Sequence, residues 1–102
     1  MPAGDLPERR ATRIELEGVQ VLVYRAGADI FAIGNRCTHQ GAPLDRGVIK
    51  ATDPLKTATC PAHGSVFSLA DGRVIRGPAR APVPAFACRE RDGTIELRPL
   101  SV

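Results

Sequence analysis

The sequence predicts a small all-β domain whose strands are joined by tight turns. Glycine and proline together occupy 19 of the 102 positions, with ten and nine residues respectively. This share exceeds the roughly 12% of an average protein, so much of the chain lies in turns and loops. No window of about 11 residues shows the helical period of apolar side chains, whereas short apolar runs recur about every 8–12 residues. A chain of this length is expected to form one domain.

The first three strands are predicted in the N-terminal third of the chain. Residues 12–16 alternate polar and apolar side chains, as a strand with one buried face does. Glu17 and Gly18 then form a turn into the apolar, β-branched run 19–24. A second turn follows, and the apolar run 30–33 completes a hairpin.

The remainder of the chain predicts three short strands and a second hairpin. The predicted strands are residues 57–59, 65–67, 73–75, 86–89 and 94–97. Ala70, Asp71 and Gly72 form the turn between the second and third of these strands. The last two form the hairpin through Asp92 and Gly93, because Asp-Gly is a strong signal for a tight hairpin turn.

The charge of the chain does not indicate a nucleic-acid-binding or a membrane protein. The formal net charge is +3, but the basic excess is small and spread along the chain, and one Tyr and three Phe provide no surface on which bases stack. No segment approaches the roughly 18 continuous apolar residues of a membrane span. The N-terminus carries Asp5 and Glu8 without the apolar stretch of a signal peptide, so we expect a cytoplasmic protein.

The cysteines and histidines form two local pairs. Cys37-Thr38-His39 follows the first hairpin, and Cys60-Pro61-Ala62-His63 comes after 20 intervening residues. A glycine follows each pair, at positions 41 and 64. The third cysteine, Cys88, lies in an alternating strand and is interpreted as a small buried apolar residue. The odd number of cysteines argues against a domain held together by disulfides.

Three interpretations of these pairs are open on the residues alone. The four side chains have no shared role, or they form a tetrahedral zinc site, or they bind two adjacent metal ions. Zinc motifs with this composition usually place cysteine near cysteine and histidine near histidine, whereas here each loop supplies one of each. In a two-iron, two-sulfide cluster, each loop reaches one iron with its thiolate and the other with its imidazole.

The two loops resemble those of the Rieske iron–sulfur proteins. C-T-H-Q-G-A and C-P-A-H-G-S match the family pattern C-x-H followed by C-x-x-H, and G-A-P-L-D-R-G, F-S-L-A-D-G, G-P-A-R-A-P and D-G-T-I-E-L are also similar. The resemblance extends over about residues 18–97. It implies a small antiparallel β-sandwich, with residues 1–102 as a single domain and a cluster-binding subdomain of loops and short strands at about 36–80.

The resemblance also implies one [2Fe-2S] cluster and assigns residues to it. Cys37 and Cys60 would bind the inner iron, and His39 and His63 the outer iron. Four further residues would surround the cluster, namely Gly41, Gly64, Ser65 and Pro78. Ala42 and Ala62 stand where respiratory members carry two additional cysteines, which implies the ferredoxin-like branch of the family.

This branch implies an electron carrier with no catalytic residues and no activity alone. It would pass single electrons from an NAD(P)H-dependent flavin reductase to a terminal oxygenase, as a component of a dioxygenase-type system. The alternatives are the small subunit of an NAD(P)H nitrite reductase and a Rieske module of a larger bacterial redox protein. A zinc-stabilised binding module without a redox role is the alternative of a different class.

Overall fold

The computed structural model describes residues 1–51 and 54–100, and this part of the chain forms nine strands in two antiparallel sheets. The strands are β1 (Thr12–Leu16), β2 (Val19–Ala26), β3 (Asp29–Gly34), β4 (Val48–Lys50), β5 (Thr57–Thr59), β6 (Val66–Ser68), β7 (Val74–Arg76), β8 (Ala85–Arg91) and β9 (Thr94–Pro99). Two short 3-10 turns cover Ala3–Asp5 and Leu44–Arg46. The predicted all-β antiparallel fold class is therefore confirmed.

The larger sheet has the strand order β1-β2-β3-β8-β9. Its second strand, β2, buries Val21, Leu22, Val23 and Tyr24 in succession, so neighbouring side chains contact opposite faces of the sheet. Val21 and Val23 pack with Ile95 in one core, whereas Leu22 and Tyr24 face the second sheet. The larger sheet thus has apolar contacts on both faces.

The N-terminal residues lie along the outer edge of β9. The N–H of Ile95 donates to the carbonyl of Met1 at 2.7 Å, and the N–H of Ala3 donates to the carbonyl of Gly93 at 2.8 Å. Leu6 is buried in the core beneath this segment. These contacts cover the unpaired edge that the hairpin β8–β9 would otherwise present.

The smaller sheet has the strand order β4-β5-β6-β7 and lies between β3 and β8 in sequence. Ala58 and Phe67 pack from it into the core shared with Leu22 and Ile33 of the larger sheet. Because β3 also pairs directly with β8, the smaller sheet and its loops form an insertion on the larger sheet. Both sequence motifs with cysteine and histidine lie in this insertion, one directly after β3 and one between β5 and β6.

The predicted strands agree with the structure apart from their ends and one omission. Residues 12–16 and 57–59 were predicted with the observed bounds, and the strands predicted at 65–67 and 73–75 begin one residue later. Strand β4 was not predicted. The assignment of 1–102 to one domain remains a prediction, and residues 52–53 and 101–102 lie outside the described residues. In the described chain, no helix has the length and apolar character needed to cross a membrane.

Candidate metal centre

The first cysteine–histidine loop begins immediately beyond β3. Cys37 is 2% exposed and belongs to the core between the two sheets. Its N–H donates to the carbonyl of Ala42 at 2.9 Å, and its carbonyl accepts from the N–H of Gly41 at 2.7 Å. These two hydrogen bonds close the loop and leave His39, at its tip, exposed.

The second loop, between β5 and β6, has the same hydrogen-bond pattern. Cys60 is 4% exposed, its N–H donates to the carbonyl of Ser65 at 2.7 Å, and its carbonyl accepts from the N–H of Gly64 at 3.2 Å. His63 is exposed at the tip of this loop. Each loop therefore buries a thiol and exposes an imidazole.

The glycine that closes each loop adopts a left-handed backbone conformation. The φ angle is +79° at Gly41 and +78° at Gly64. Side chains with a Cβ are disfavoured in this region, and glycine adopts it without strain. This requirement gives a physical reason for the glycine that follows each Cys/His pair in the sequence.

The fold brings the two histidines together. The ring centroids of His39 and His63 are 5.0 Å apart, and the planes meet at 89° in an edge-to-face arrangement. Both rings are exposed, while both thiols are buried below them. The two imidazoles are therefore adjacent at the surface, and both cysteines lie in the core between the sheets.

A third loop, residues 77–81, is hydrogen-bonded to both cysteine–histidine loops. The hydroxyl of Thr38 in the first loop donates to the carbonyl of Ala81 at 2.5 Å. The N–H of Ala79 donates to the hydroxyl oxygen of Ser65, at the end of the second loop, at 2.9 Å. Since Ser65 is fully buried, this contact fixes the third loop against the base of the site.

The residues expected around the site occupy different positions in it. Gly41 and Gly64 are half-buried and shape the two loops. Ser65 is buried at the junction with the third loop. Pro78 is exposed in the third loop and follows a cis peptide bond from Gly77.

The first loop has a supporting contact that the sequence analysis did not identify. Asn35 is fully buried, and its side-chain amide donates to the carboxylate of Asp45 at 2.7 Å. In return, the N–H of Asp45 donates to the amide oxygen of Asn35 at 2.8 Å. This reciprocal pair connects the start of the first loop to the 3-10 turn Leu44–Arg46 and positions Cys37.

The donor set fits a [2Fe-2S] cluster with mixed ligands. Two thiols and two imidazoles are the side chains such a cluster takes, with thiolates on one iron and imidazoles on the other. Within residues 1–51 and 54–100, no group of three His, Cys, Asp or Glu side chains is arranged to hold one metal ion. Both cysteines are buried, and both histidines are exposed.

Two antiparallel sheets that carry paired Cys-x-His and Cys-x-x-His loops define a small iron–sulfur protein of the electron-transfer class. Residues 1–87 match the family model for the Rieske [2Fe-2S] domain. The chain belongs to this family, and a Rieske domain carries one [2Fe-2S] cluster. The resemblance expected from the two loops is thereby confirmed.

The proteins to which the chain is similar include dioxygenase ferredoxins. The chain is 30% identical over 94 residues to the 3-phenylpropionate/cinnamic acid dioxygenase ferredoxin subunit of Escherichia coli strain K12, covering 92% of this chain and 85% of that protein. The ferredoxin of carbazole 1,9a-dioxygenase from Nocardioides aromaticivorans IC177 has a TM-score of 0.87 and 29% identity, covering 98% of this chain and 94% of that one. A protein assigned as an NADH-dependent nitrite reductase small subunit from Mycobacterium tuberculosis has a TM-score of 0.82 and 26% identity, with 99% and 92% covered.

Proposed function

We propose that Cys37 and Cys60 bind one iron of the cluster and that His39 and His63 bind the other. The observation that carries this proposal is the repeated loop geometry, in which each cysteine is held by the same two hydrogen bonds. The repetition directs both thiols into the core and both imidazoles outward. Residues 36–80 then act as the cluster-binding subdomain.

A bound [2Fe-2S] cluster supplies reversible one-electron transfer at a potential within about −150 to +300 mV for mixed His/Cys ligation. The protein holds the sulfur ligands away from water through the core around Cys37 and Cys60. It leaves the rings of His39 and His63 exposed, so the outer edge of the site is accessible to another protein. These features suit a carrier of single electrons.

The chain acts as the ferredoxin of a ring-hydroxylating dioxygenase system in this proposal. It accepts electrons from an NAD(P)H-dependent flavin reductase and passes them to a terminal oxygenase through the exposed histidine edges. The names of the similar dioxygenase ferredoxins support this assignment. A cytoplasmic location is consistent with three cysteines that form no disulfide among the described residues, because disulfides are rare in that compartment.

A second candidate is a subunit of a nitrite reductase. The fold similarity to the Mycobacterium tuberculosis protein favours it. The dioxygenase assignment is preferred because a dioxygenase ferredoxin of known structure has the higher identity, 29% against 26%, and the higher TM-score, 0.87 against 0.82. Reconstitution of each candidate system with this chain as the sole carrier distinguishes the two, since electrons should reach only one terminal enzyme at a useful rate.

Metal analysis with redox titration tests the proposal most directly. We expect iron and acid-labile sulfide in the ratio of a [2Fe-2S] cluster, together with an EPR signal of mixed His/Cys ligation after reduction by one electron. The midpoint potential should lie within the Rieske range of about −150 to +300 mV. A colourless protein that contains stoichiometric zinc and no iron would refute the assignment.

Variants of the three cysteines test the ligands. Cys37→Ser and Cys60→Ser should each lose the cluster, because the hard hydroxyl replaces a soft thiolate. Cys88→Ser is the matched control, since this cysteine lies in β8 on the larger sheet, outside the two loops. Iron content that is unchanged in the first two variants, or lost in the control, would contradict the ligand assignment.

A further inference from the structure

The basic excess of the chain lies in the cluster-binding segment. Residues 36–80 contain seven basic and three acidic residues, whereas the rest of the chain contains seven basic and eight acidic residues. The segment that forms the candidate metal centre therefore has a formal charge of +4, and the remainder has a charge of −1. The positive net charge of the chain therefore comes from residues 36–80.

Two of the acidic residues in this segment are already engaged within it. Asp71 receives hydrogen bonds from the backbone N–H of Arg73 and, at 2.9 Å, from its guanidinium. The backbone hydrogen bond and then the side-chain hydrogen bond from Arg73 lower the pKa of Asp71. The carboxylate of Asp45 is held by the buried amide of Asn35. Neither carboxylate neutralises the arginines beside the histidine loops.

Two arginines lie beside the first and third loops. Arg36 precedes the first loop, and its guanidinium lies 3.2 Å from the position that a Cβ would take at Gly41. Arg80 lies between the two residues that connect the third loop to the site, Ala79 and Ala81. Both arginines are exposed.

Two more arginines lie beside the second loop. Arg76 pairs in the sheet with Val66, three residues beyond the second histidine. Arg46 precedes Gly47, whose backbone packs near Pro61 of that loop. Arg36 and Arg80 thus lie at the first and third loops, and Arg46 and Arg76 end elements that contact the second loop. We refer to Arg36, Arg46, Arg76 and Arg80 as the arginine rim.

The arginine rim has no internal counter-charge in the part of the chain that the structure describes. None of its four members is in an ion pair with a described residue. By contrast, Arg25 and Arg89 on the larger sheet pair with Glu90 and Glu96 at 2.6 and 2.5 Å. The arginines next to the histidine loops therefore keep their positive charge available to a partner.

We propose that the arginine rim docks a redox protein whose surface around its own electron entry or exit point is acidic. The proposal rests on the function proposed above and specifies the charge of the partner at that site. Complementary charges steer partners into productive orientations and increase association rates by about 10 to 1,000-fold at low salt. Arginine is well suited to this role because its planar fork binds carboxylates with two hydrogen bonds.

A protein partner fits the arginine rim better than a nucleic acid does. Single strands are bound by basic grooves in which aromatic side chains stack on the bases. Here Tyr24 and Phe67 are buried, Phe31 and Phe86 are half-buried, and the loops that carry the rim contain no aromatic residue other than the two histidines. The rim therefore provides positive charge without a surface on which bases could stack.

Two forms of cytochrome c with opposite charge provide the test. Native cytochrome c is basic, and partial succinylation converts some of its lysines to carboxylates while retaining the haem. The cluster of the Rieske protein is first reduced with dithionite, and the excess dithionite is removed before cytochrome c is added. One electron then passes from each reduced cluster, which is reoxidised, to one ferric haem, which becomes ferrous. We expect the rate with the succinylated form to fall as salt rises and the rate with the native form to increase, because salt screens attraction and repulsion alike.

Charge-matched variants locate the effect. The double variant Arg76→Gln/Arg80→Gln removes two rim charges, and Arg13→Gln/Arg98→Gln removes two exposed charges from β1 and β9. The rim variant should react about tenfold more slowly with succinylated cytochrome c at low salt, whereas the control should change by less than about twofold. Equilibrium binding of the two cytochromes, measured in parallel, should show the same order without requiring electron transfer.

The outcomes separate this proposal from the proposed function. Electron transfer that shows no preference for the succinylated form, or that slows equally in both double variants, overturns the docking proposal and leaves the carrier function intact. Selective binding of the succinylated form without electron transfer supports the rim and overturns the carrier function. Binding of a single-stranded oligonucleotide that is lost in the rim variant, together with no preference between the two cytochromes, overturns the docking proposal in favour of nucleic acid.

Discussion

Gly47 is confined by backbone that leads into the second cysteine loop. A Cβ at this position would collide with the carbonyl of Thr59 and would lie 3.2 Å from the Cδ of Pro61. The φ angle of −88° is ordinary, so the constraint is space. Gly47→Ala should lower the free energy of unfolding by about 1–3 kcal/mol through overpacking, as measured by chemical denaturation. Gly4→Ala, where nothing lies within 4 Å, is the control, and equal stability of the two variants would contradict this account.

Cys88 should be unreactive in the folded protein. Burial raises the pKa of its thiol from 9.0 to about 11. Because only the thiolate is alkylated, this shift lowers the reactive fraction near pH 8 by about 100-fold. The same shift contributes stability below pH 9, and that stability is lost as pH rises through 11, since the unfolded chain ionises first.

Alkylation with iodoacetamide at pH 8 checks the prediction for Cys88. In the folded, cluster-loaded protein, Cys88 should be modified far more slowly than in protein unfolded by guanidinium. Cys88→Ala identifies the modified residue by mass, because it removes the site. Equal rates of modification in folded and unfolded protein would show that the thiol is not protected.

Side chains of the site differ in how well sequence reveals them. The Cys/His pairs and their glycines were predictable because each loop closes on itself within four or five residues. The pair Asn35 and Asp45 was not, because its two hydrogen bonds join a loop to a turn ten residues later. Asn at a strand end is an ordinary turn residue, so the sequence contains no signal for its burial.

At the scale of elements, the third loop should depend on Thr38. Thr38→Val removes the hydroxyl that donates to the carbonyl of Ala81 and should lower the free energy of unfolding by about 0.5–1.5 kcal/mol. We expect faster hydrogen exchange in residues 77–81, with the larger sheet unchanged. Thr94→Val, at an exposed position of β9, is the control. Unchanged hydrogen exchange in the third loop would contradict this prediction and mean that the hydrogen bond between Ala79 and Ser65 is sufficient to hold the loop in place.

Strand β4 illustrates the limit of strand prediction. It has three residues at the edge of the smaller sheet, and Val48 is 57% exposed. A pattern of one partly buried residue between two exposed ones is too short to distinguish from a loop. By contrast, β5 lies inside the sheet and buries Thr57 and Ala58, so its apolar and β-branched composition identified it.

At the scale of the whole molecule, loss of the cluster should unfold one part of the chain first. The larger sheet has its own core around Val21, Val23 and Ile95, whereas the loops depend on a core that includes Cys37 and Cys60. Metal binding contributes directly to the stability of such regions. Chelation should therefore increase hydrogen exchange over residues 36–80 and leave β1 and β2 protected. Uniform loss of protection along the chain would contradict separate stability.

The grouping of the rim arginines around the three loops became apparent only with the fold. The sequence analysis found the basic excess spread along the chain, because Arg36, Arg46, Arg76 and Arg80 are separated by up to 44 positions. The contacts of the third loop with the first two bring Arg80 next to the cysteine–histidine loops, and Arg76 and Arg46 end elements that contact the second loop. Fold class and candidate ligands are local properties of the sequence, whereas a surface is a property of the assembled chain.

The spacing of the two histidine rings bears on how the carrier meets its partners. Their centroids are 5.0 Å apart, whereas a typical protein interface covers about 800 Å² on each partner. Two proteins that both bind over these rings therefore compete for the same surface. Under the proposed function, the chain therefore binds the reductase and the oxygenase one after the other and does not hold both at once. Each electron transfer to the oxygenase can begin only after the reductase has dissociated.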